Sequence, residues 1–201
     1  MNPAPLLLSC SVLAREVQHL AGQYWPECQM ETVSSDLHMV PQRLSALLHD
    51  TLKSRIRSGR PVVLIFGECC TVMEELSAIP GVARVRGRDC PEILLGRAAY
   101  RSAMQAGEFF LLPEWARRWE EIFTQRLGLA HGQAAELLSD VHSRLVYLDT
   151  GLAPVPSDEL TACTQWCGLP HTIRPVNLDL VRMSLDEALR TACLTFQGGS
   201  P

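Results

Sequence analysis

Short apolar runs alternate with amphipathic stretches along most of this chain, and no other feature limits its fold as strongly. The run Pro61 to Phe66 (PVVLIF) is continuously apolar, which is typical of a strand buried on both faces of a parallel sheet. The stretch Pro41 to Ser58 instead repeats leucines at helical spacing, among them Leu44 and Leu48. Because such strands and helices alternate, we predict a Rossmann-like α/β protein with a doubly wound, mainly parallel sheet and helices on both faces.

The same alternation continues to the end of the chain, without an internal repeat or a low-complexity linker. The predicted strands cover residues 5–9, 28–33, 61–66, 82–85, 108–112, 144–148 and 171–175. The predicted helices cover residues 11–23, 41–58, 71–79, 91–104, 113–126, 131–142, 157–167 and 185–196, and the pattern allows a break within 91–104. We therefore predict a single α/β domain over residues 1–196, followed by a disordered tail over residues 197–201.

Composition and charge exclude several classes of protein. The net charge of −4 gives no general attraction to nucleic acid or anionic lipid. No apolar stretch reaches the ~18 residues that a membrane-spanning helix needs. The sequence Leu7-Leu8-Ser9-Cys10 is similar to a lipoprotein cleavage site, but its apolar run is short and the first basic residue, Arg15, follows it. We expect a cytoplasmic protein that binds neither nucleic acid nor membrane.

Eight cysteines are many for this length, and without an export signal we expect free thiols rather than disulfides. Ligands bind at the carboxyl ends of the strands in open parallel sheets, so the residues that follow the predicted strands are the first candidates for function. These candidates are Cys10 after the first strand, His38 after the second, Glu68, Cys69 and Cys70 after the third, Cys90 after the fourth and Asp149 after the sixth.

Two interpretations of the cysteines at the strand ends remain open. Thiolates together with an imidazole are suitable ligands for zinc, for an iron–sulfur cluster or for another soft metal. Free cysteine also packs well in protein cores, where it behaves as a small apolar side chain. Packing is the preferred interpretation for the four cysteines that lie inside predicted elements, Cys28, Cys163, Cys167 and Cys193.

Short motifs follow one another in a fixed order along residues 1–150. They are Leu8-Ser9-Cys10, Leu37-His38, Phe66-Gly67-Glu68-Cys69, Asp89-Cys90, Gly107-Glu108-Phe109-Phe110 and Tyr147-Leu148-Asp149-Thr150-Gly151. In these motifs the chain resembles the DUF1638 family of bacterial and archaeal proteins, a domain of unknown function. The resemblance implies that Cys10, His38, Cys69 and Cys90 act as a group. It also implies a loose association with corrinoid-dependent methyl-transfer systems.

Our leading hypothesis is a metal-binding protein with one metal ion, zinc before others, or an iron–sulfur cluster. The ligands are Cys10, Cys69 and Cys90, with His38 as the fourth. Glu68 and Asp149 are then the nearest candidates for proton transfer or for support of the ligands. The resemblance extends the hypothesis to a corrinoid cofactor, and to a corrinoid protein or a methyltransferase as the partner in one-carbon metabolism. Assembly into a homo-oligomer is compatible with every one of these features.

Two other classes of function remain open. In a metal-independent enzyme, Cys69 or Cys70 is a nucleophile near a helix N-terminus, with His38 as the base and backbone N–H groups as the oxyanion site. In a non-catalytic protein, Trp115 and Trp119, spaced as one helix face, bind a partner. The sequence does not decide whether Cys70 belongs to the site.

Overall fold

The computed structural model describes residues 3–197, and the chain divides into two compact units. Among the described residues, unit 1 consists of residues 3–93 and 178–197, and unit 2 consists of residues 94–177. Among the described residues each unit has its own parallel sheet, of four strands in unit 1 and three in unit 2. A division into two compact units does not establish two separate domains. The single domain over residues 1–196 therefore stays a prediction.

The elements follow one another as the sequence pattern predicts. The strands are β1 (Leu6–Cys10), β2 (Gln29–Val33), β3 (Val62–Ile65), β4 (Val82–Arg84), β5 (Glu108–Leu111), β6 (Arg144–Asp149) and β7 (His171–Pro175). The α-helices are α1 (Ala14–Tyr24), α2 (Pro41–Arg57), α3 (Met73–Ser77), α4 (Cys90–Leu95), α5 (Arg97–Gln105), α6 (Pro113–Arg117), α7 (His131–Val141), α8 (Ser157–Cys167) and α9 (Asp179–Gln197). Two 3₁₀ turns, Ser11–Leu13 and Ser35–Met39, and a π-helical turn, Glu121–Arg126, complete the described chain.

The sheet of unit 1 has the strand order β2-β1-β3-β4, and all neighbouring strands are parallel. The central strands β1 and β3 are buried along their whole length, because their sequences LLLSC and VVLI are mainly apolar on both faces. Burial of one such leucine contributes about 1.5–3 kcal/mol. From β1 the chain moves outward to β2 and then crosses to β3 on the other side. This reversal opens a crevice at the carboxyl ends of β1 and β3.

The sheet of unit 2 has the order β5-β6-β7 and is also entirely parallel. Its central strand β6 is buried from Leu145 to Leu148. Tyr147 packs there in one apolar cluster with Leu160 and Trp166 of α8. The predicted Rossmann-like α/β architecture is therefore confirmed, with the strands distributed over two parallel sheets.

Two helices differ from the sequence prediction, and a third has the break that the sequence allowed. Residues 91–104 form two helices, because Gly96, with a φ of 74°, ends α4 before α5 begins. The helix predicted over residues 113–126 changes to π-helical geometry at Glu121. The closing helix begins at Asp179 rather than at Leu185, because Val181 and Leu185 already lie one turn apart on its buried face.

Two predictions concern the surroundings and the end of the chain. Within residues 3–197 no helix combines the length and the apolar character that crossing a bilayer needs. Gln197 is the last residue of α9. The rest of the predicted tail, residues 198–201, lies outside the described residues.

Candidate metal centre

Two of the predicted ligands follow the central strands of the unit 1 sheet. Cys10 is the last residue of β1 and is fully buried. Cys69 is half-buried and lies in the irregular segment that follows β3. Because β1 and β3 are neighbours at the point where the strand order reverses, both cysteines border the crevice where sheets of this kind bind ligands.

The third predicted ligand, Cys90, begins α4 and is 6% exposed. The carboxylate of the preceding residue, Asp89, accepts a hydrogen bond from the Glu92 N–H at 2.8 Å. Such a bond satisfies one of the N–H groups that the first turn of a helix leaves without an intrahelical partner. The position of Cys90 is therefore fixed by the start of its helix.

The fourth predicted ligand, His38, is carried by the 3₁₀ turn that follows β2. The Ser35 N–H in that turn donates to the Ser11 hydroxyl at 2.8 Å. Because Ser11 directly follows β1, this bond holds the turn against the strand that ends in Cys10. Sequence reasoning missed Ser11, since nothing in the local pattern pairs two serines so distant along the chain.

The four side chains are neighbours in the order Cys90, Cys10, His38 and Cys69. The Sγ atom of Cys10 lies 3.6 Å from Nε2 of His38. Cys90 is close enough to Cys10 to shift its pKa, and Cys69 is close enough to His38 to shift the pKa of the imidazole. The structure thus brings together all four side chains that the sequence selected, while their role as metal ligands stays a prediction.

These contacts separate charge within the cluster. The hydrogen bond from Cys90, together with the one from His38, lowers the pKa of Cys10 to about 5 against the opposing effect of burial. Hydrogen bonds to Cys10 and Cys69 raise the pKa of His38 to about 10. Because Cys90 donates its proton to Cys10 and is buried, its pKa is raised. At neutral pH a Cys10 thiolate therefore faces a His38 imidazolium.

The separation of Cys10 and His38 is compatible with ligation of one metal ion. Zinc binds sulfur at about 2.3 Å and nitrogen at about 2.0–2.1 Å, so a tetrahedral site places these two atoms about 3.6 Å apart. The observed Sγ–Nε2 distance is 3.6 Å. A hydrogen bond to sulfur has a similar length, so the distance fits both a protonated cluster and a metal-bound one.

In their present positions the four side chains do not form a complete coordination sphere. Within residues 3–197, no group of three or more His, Cys, Asp or Glu side chains is arranged so that it could hold a metal ion. Cys10 and Cys90 are fixed by a strand end and a helix start. Cys69 is the side chain that lies outside regular secondary structure. Of the four candidate ligands, Cys69 is therefore the one whose position is least fixed by regular secondary structure.

The segment that contains Gly67 crosses the segment before α4 at backbone contact distance. The Glu68 N–H donates to the Arg88 carbonyl oxygen at 2.6 Å. A Cβ atom on Gly67 would lie 2.6 Å from both the Arg88 carbonyl carbon and the Cα atom of Asp89. Only glycine permits this approach, which brings Cys69 to the start of α4.

Arg84, at the end of β4, forms hydrogen bonds with both the segment that contains Gly67 and the segment before α4. Its Nη1 atom donates to the carbonyl oxygen of Phe66 at 3.3 Å and to that of Gly87 at 3.0 Å. Sequence reasoning missed both Arg84 and Gly67. A glycine directly after a buried strand is a recognisable signal of close backbone approach, whereas no sequence signal indicates which carbonyl groups an arginine reaches.

The two predicted proton-transfer residues lie in different units. Glu68 is exposed and lines a cleft together with Cys69 and Cys70. Asp149 ends β6 in unit 2, where its carboxylate accepts the Gly151 N–H at 2.9 Å and shapes its own turn. Because β6 belongs to the other sheet, the argument from a shared sheet edge does not extend to Asp149.

The remaining cysteines and the two tryptophans are consistent with packing. Cys163 and Cys167 are buried in the apolar cluster of unit 2, and Cys28 and Cys193 are half-buried in unit 1. Trp115 and Trp119 pack against the unit 2 cluster, with the Trp119 ring 5.4 Å from that of Trp166. The partner-binding role of this tryptophan pair stays a prediction.

The stability of the metal-free protein is expected to depend on pH through Cys10 and His38. The lowered pKa of Cys10, about 5 against an ordinary 9.0, stabilises the fold fully above pH 9, and this contribution is lost as the pH falls through 5. The raised pKa of His38, about 10 against 6.5, stabilises the fold fully below pH 6.5, and this contribution is lost as the pH rises through 10. Between pH 6.5 and 9 the two contributions to the unfolding free energy change with opposite slopes, so their sum stays constant.

The measurement compares urea unfolding of metal-free wild type with the double variant Cys10→Ser/His38→Gln across the pH range. The difference in unfolding free energy should be flat between about pH 6.5 and 9 and should shrink on both sides. A difference that changes in one direction over the whole range would contradict the thiolate–imidazolium pair.

A parallel α/β fold that gathers thiols and an imidazole at the reversal point of its sheet defines a class: Rossmann-like proteins with a candidate ligand site at the carboxyl ends of the strands. The chain belongs to the DUF1638 family, described as proteins of unknown function, whose profile matches residues 32–185. The match includes His38, Cys69, Cys90 and Asp149, and Cys10 precedes it.

Other comparisons add little. No curated protein matches the sequence. Among solved structures, the trehalose repressor from Escherichia coli is similar, with 16% identity over 98% of this chain and 94% of that chain and a TM-score of 0.39. A similarity at this level carries no argument about function, so the site has to be interpreted from its own chemistry.

Proposed function

We propose that this protein binds one soft metal ion, zinc before others, at the carboxyl edge of the unit 1 sheet. The ligands are Cys10, His38, Cys69 and Cys90. The observation that carries the proposal is the contact of Cys10 Sγ with His38 Nε2 at 3.6 Å, with Cys90 close to Cys10 and Cys69 close to His38. Cysteine and histidine in this ratio are the donor set of tetrahedral zinc sites.

The close approach of the donor atoms favours a single ion over an iron–sulfur cluster. A cluster lies between its cysteine ligands and keeps their sulfur atoms apart, because the thiolates bind different iron atoms. Here the Cys10 sulfur lies 3.6 Å from His38 Nε2, and Cys90 is close enough to Cys10 to shift its pKa. Donor atoms this close together favour a single ion, which the four side chains would bind after a rearrangement from their present positions.

The ligands differ in their access to solvent, which supports a reactive centre rather than a closed one. Cys10 and Cys90 are buried, whereas Cys69 is half-buried and lines the cleft. When bound, the ion supplies Lewis acidity or an activated thiolate. Glu68 lies next to Cys69 on the cleft and can accept or return a proton there. Buried Cys10 and Cys90 anchor the site and keep it from water.

One competing function has an observation in its favour. His38 lies close enough to Cys69 for the thiol to raise the pKa of the imidazole, and a cysteine nucleophile and its base are neighbours in the same way. Cys69 also reaches the cleft, where a substrate could approach it. In this alternative the protein is a metal-independent enzyme, and the buried pair Cys10 and Cys90 only orients the imidazole.

Elemental analysis separates the two functions. Protein purified anaerobically, without metal-affinity steps, is expected to contain about one zinc ion per chain. Cys69→Ser should lower the zinc affinity by at least about tenfold, the loss that even an outer partner of a ligand can cause. Cys70→Ser, on the same segment, is the matched control and should leave it unchanged.

A folded wild type that contains no metal and takes up none would reject the metal centre. Rapid alkylation of Cys69 in that protein, abolished by His38→Gln, would then establish the cysteine nucleophile. Equal retention of zinc by Cys69→Ser and wild type would remove Cys69 from the ligand set.

The wider biological setting stays a prediction. No contact among the described residues bears on a corrinoid cofactor, on a corrinoid protein or methyltransferase as the partner, or on one-carbon metabolism. The cytoplasmic location and a homo-oligomeric state are likewise expectations from the sequence. We propose them only as the context in which a cleft beside a soft metal ion would be used.

A further inference from the structure

A cleft of about 880 Å³ opens in front of Cys69 in unit 1. Glu68, Cys69, Cys70, Glu74 and Arg84 are among the residues that line it. This volume is in the range of sites that bind small molecules. Cys69 therefore connects the candidate metal centre to a space that a small molecule can enter.

The guanidinium of Arg84 is fixed on one side and available on the other. Its Nη1 atom is held by the carbonyl oxygens of Phe66 and Gly87. Arginine carries five N–H donors, and within the described residues Nε and Nη2 of Arg84 have no protein acceptor. A guanidinium anchored in this way presents its remaining donors in a set direction, which suits a carboxylate or a phosphate.

The acidic residues of the cleft do not neutralise this charge. Glu68 and Glu74 are both exposed, and in the described part of the chain neither forms an ion pair with Arg84. The half-buried Arg84 thus retains a positive charge at the wall of a cleft whose other charged lining residues are acidic. Without a specific contact, that acidic rim would repel anions.

We propose that this cleft binds a small substrate through an anionic oxygen group, such as a carboxylate, phosphate or sulfonate, to which the open edge of the Arg84 guanidinium donates. The rest of the substrate then extends towards Cys69. This placement rests on the proposed function in one respect, that Cys69 holds a metal ion. The anion site itself depends on Arg84 alone and is tested in the metal-free protein.

Cys70 supplies a reporter for the test, because it is half-buried and lines the same cleft. Iodoacetate and iodoacetamide react with a thiolate in the same way: a sulfur–carbon bond forms and iodide leaves. Only iodoacetate carries a carboxylate. The ratio of their rates at each cysteine, measured by mass spectrometry of peptides, therefore reports how well that site accepts an anion.

In metal-free wild type, the rate ratio of iodoacetate to iodoacetamide at Cys70 is expected to exceed that at Cys193 by about tenfold or more. Arg84→Gln should reduce the ratio at Cys70 to that at Cys193. Arg86→Gln is the matched control, because Arg86 is an exposed arginine two residues further on that pairs with Glu187, and it should leave the ratio unchanged.

Equal ratios at Cys70 and Cys193 in wild type, or a ratio at Cys70 that survives Arg84→Gln, would overturn the proposal. Arg84 also fastens two segments, so its variant can lose structure. A second measurement therefore uses wild type alone. Propionate, but not propanol, should slow the reaction of iodoacetate at Cys70 and leave Cys193 unaffected, and equal protection by the two compounds also overturns the proposal. Absence of zinc from wild type would instead reject the metal centre and leave the anion site standing.

Discussion

Replacing Cys10 by serine is expected to abolish metal binding, while the same substitution at Cys193 leaves it intact. Cys10 is fully buried at the end of β1 and contacts both Cys90 and His38, so it occupies the centre of the cluster. Its removal takes away one donor and also the contact that orients two others. Cys193 is a half-buried cysteine of the same unit, in α9, and serves as the matched control.

Zinc-dependent stability gives this prediction a magnitude. A ligand at about 1,000 times its dissociation constant stabilises the folded state by about 4 kcal/mol. Wild type and Cys193→Ser are expected to gain about this much unfolding free energy in zinc, and Cys10→Ser is expected to gain nothing. Urea unfolding with and without zinc measures the gain. A full zinc response in Cys10→Ser would show that the metal binds elsewhere.

The meeting of the four candidate ligands could be predicted because it depends on a general property of parallel sheets. Strands of alternating β and α units point the same way, so residues that follow them gather at one edge wherever they lie in the sequence. Cys10 at the end of β1 and Cys69 after β3 follow this rule directly. Cys90 also follows this rule, because only a short connection separates the end of β4 from the start of α4, where Cys90 lies.

The same rule does not by itself place Asp149, for a definite reason. It assumes one sheet, and the structure has β6 in a separate sheet with β5 and β7. Alternation of strands and helices in the sequence shows that strands are parallel but does not show where one sheet ends and another begins. Gly96, with a φ of 74°, breaks the helix at the boundary between the units, and the sequence pattern showed it only as a local irregularity.

The contacts that position the ligands could not be predicted, because they join residues with no shared local pattern. Ser11 holds the turn that carries His38, and Arg84 holds the segments that lead to Cys69 and Cys90. Each is a hydrogen bond between distant parts of the chain whose geometry exists only after the sheet has formed. The four candidate ligands could therefore be selected from the sequence, whereas the hydrogen bonds that position them could not.

The close backbone crossing at Gly67 also positions these segments. Gly67→Ala is expected to lower both the stability of the protein and its metal affinity. The new methyl group would overlap the backbone of Arg88 and Asp89, which cannot turn aside as a flexible side chain could. Overpacking of this kind costs about 1–3 kcal/mol, and backbone neighbours place the cost at the upper end. Because φ at Gly67 is not positive, the cost comes from steric overlap and not from backbone conformation.

Gly22→Ala is the matched control for this substitution. Gly22 lies in α1, where an added methyl group would meet no other atom within 4 Å, so alanine there should stabilise the protein by about 0.5–1 kcal/mol. Urea unfolding of the metal-free proteins measures the stabilities, and zinc titration measures the affinities. Relief of the overlap at Gly67 requires the segments that carry Cys69 and Cys90 to separate, so zinc affinity should fall even where the fold survives. A Gly67→Ala protein that binds zinc as tightly as wild type would show that this crossing does not align the ligands.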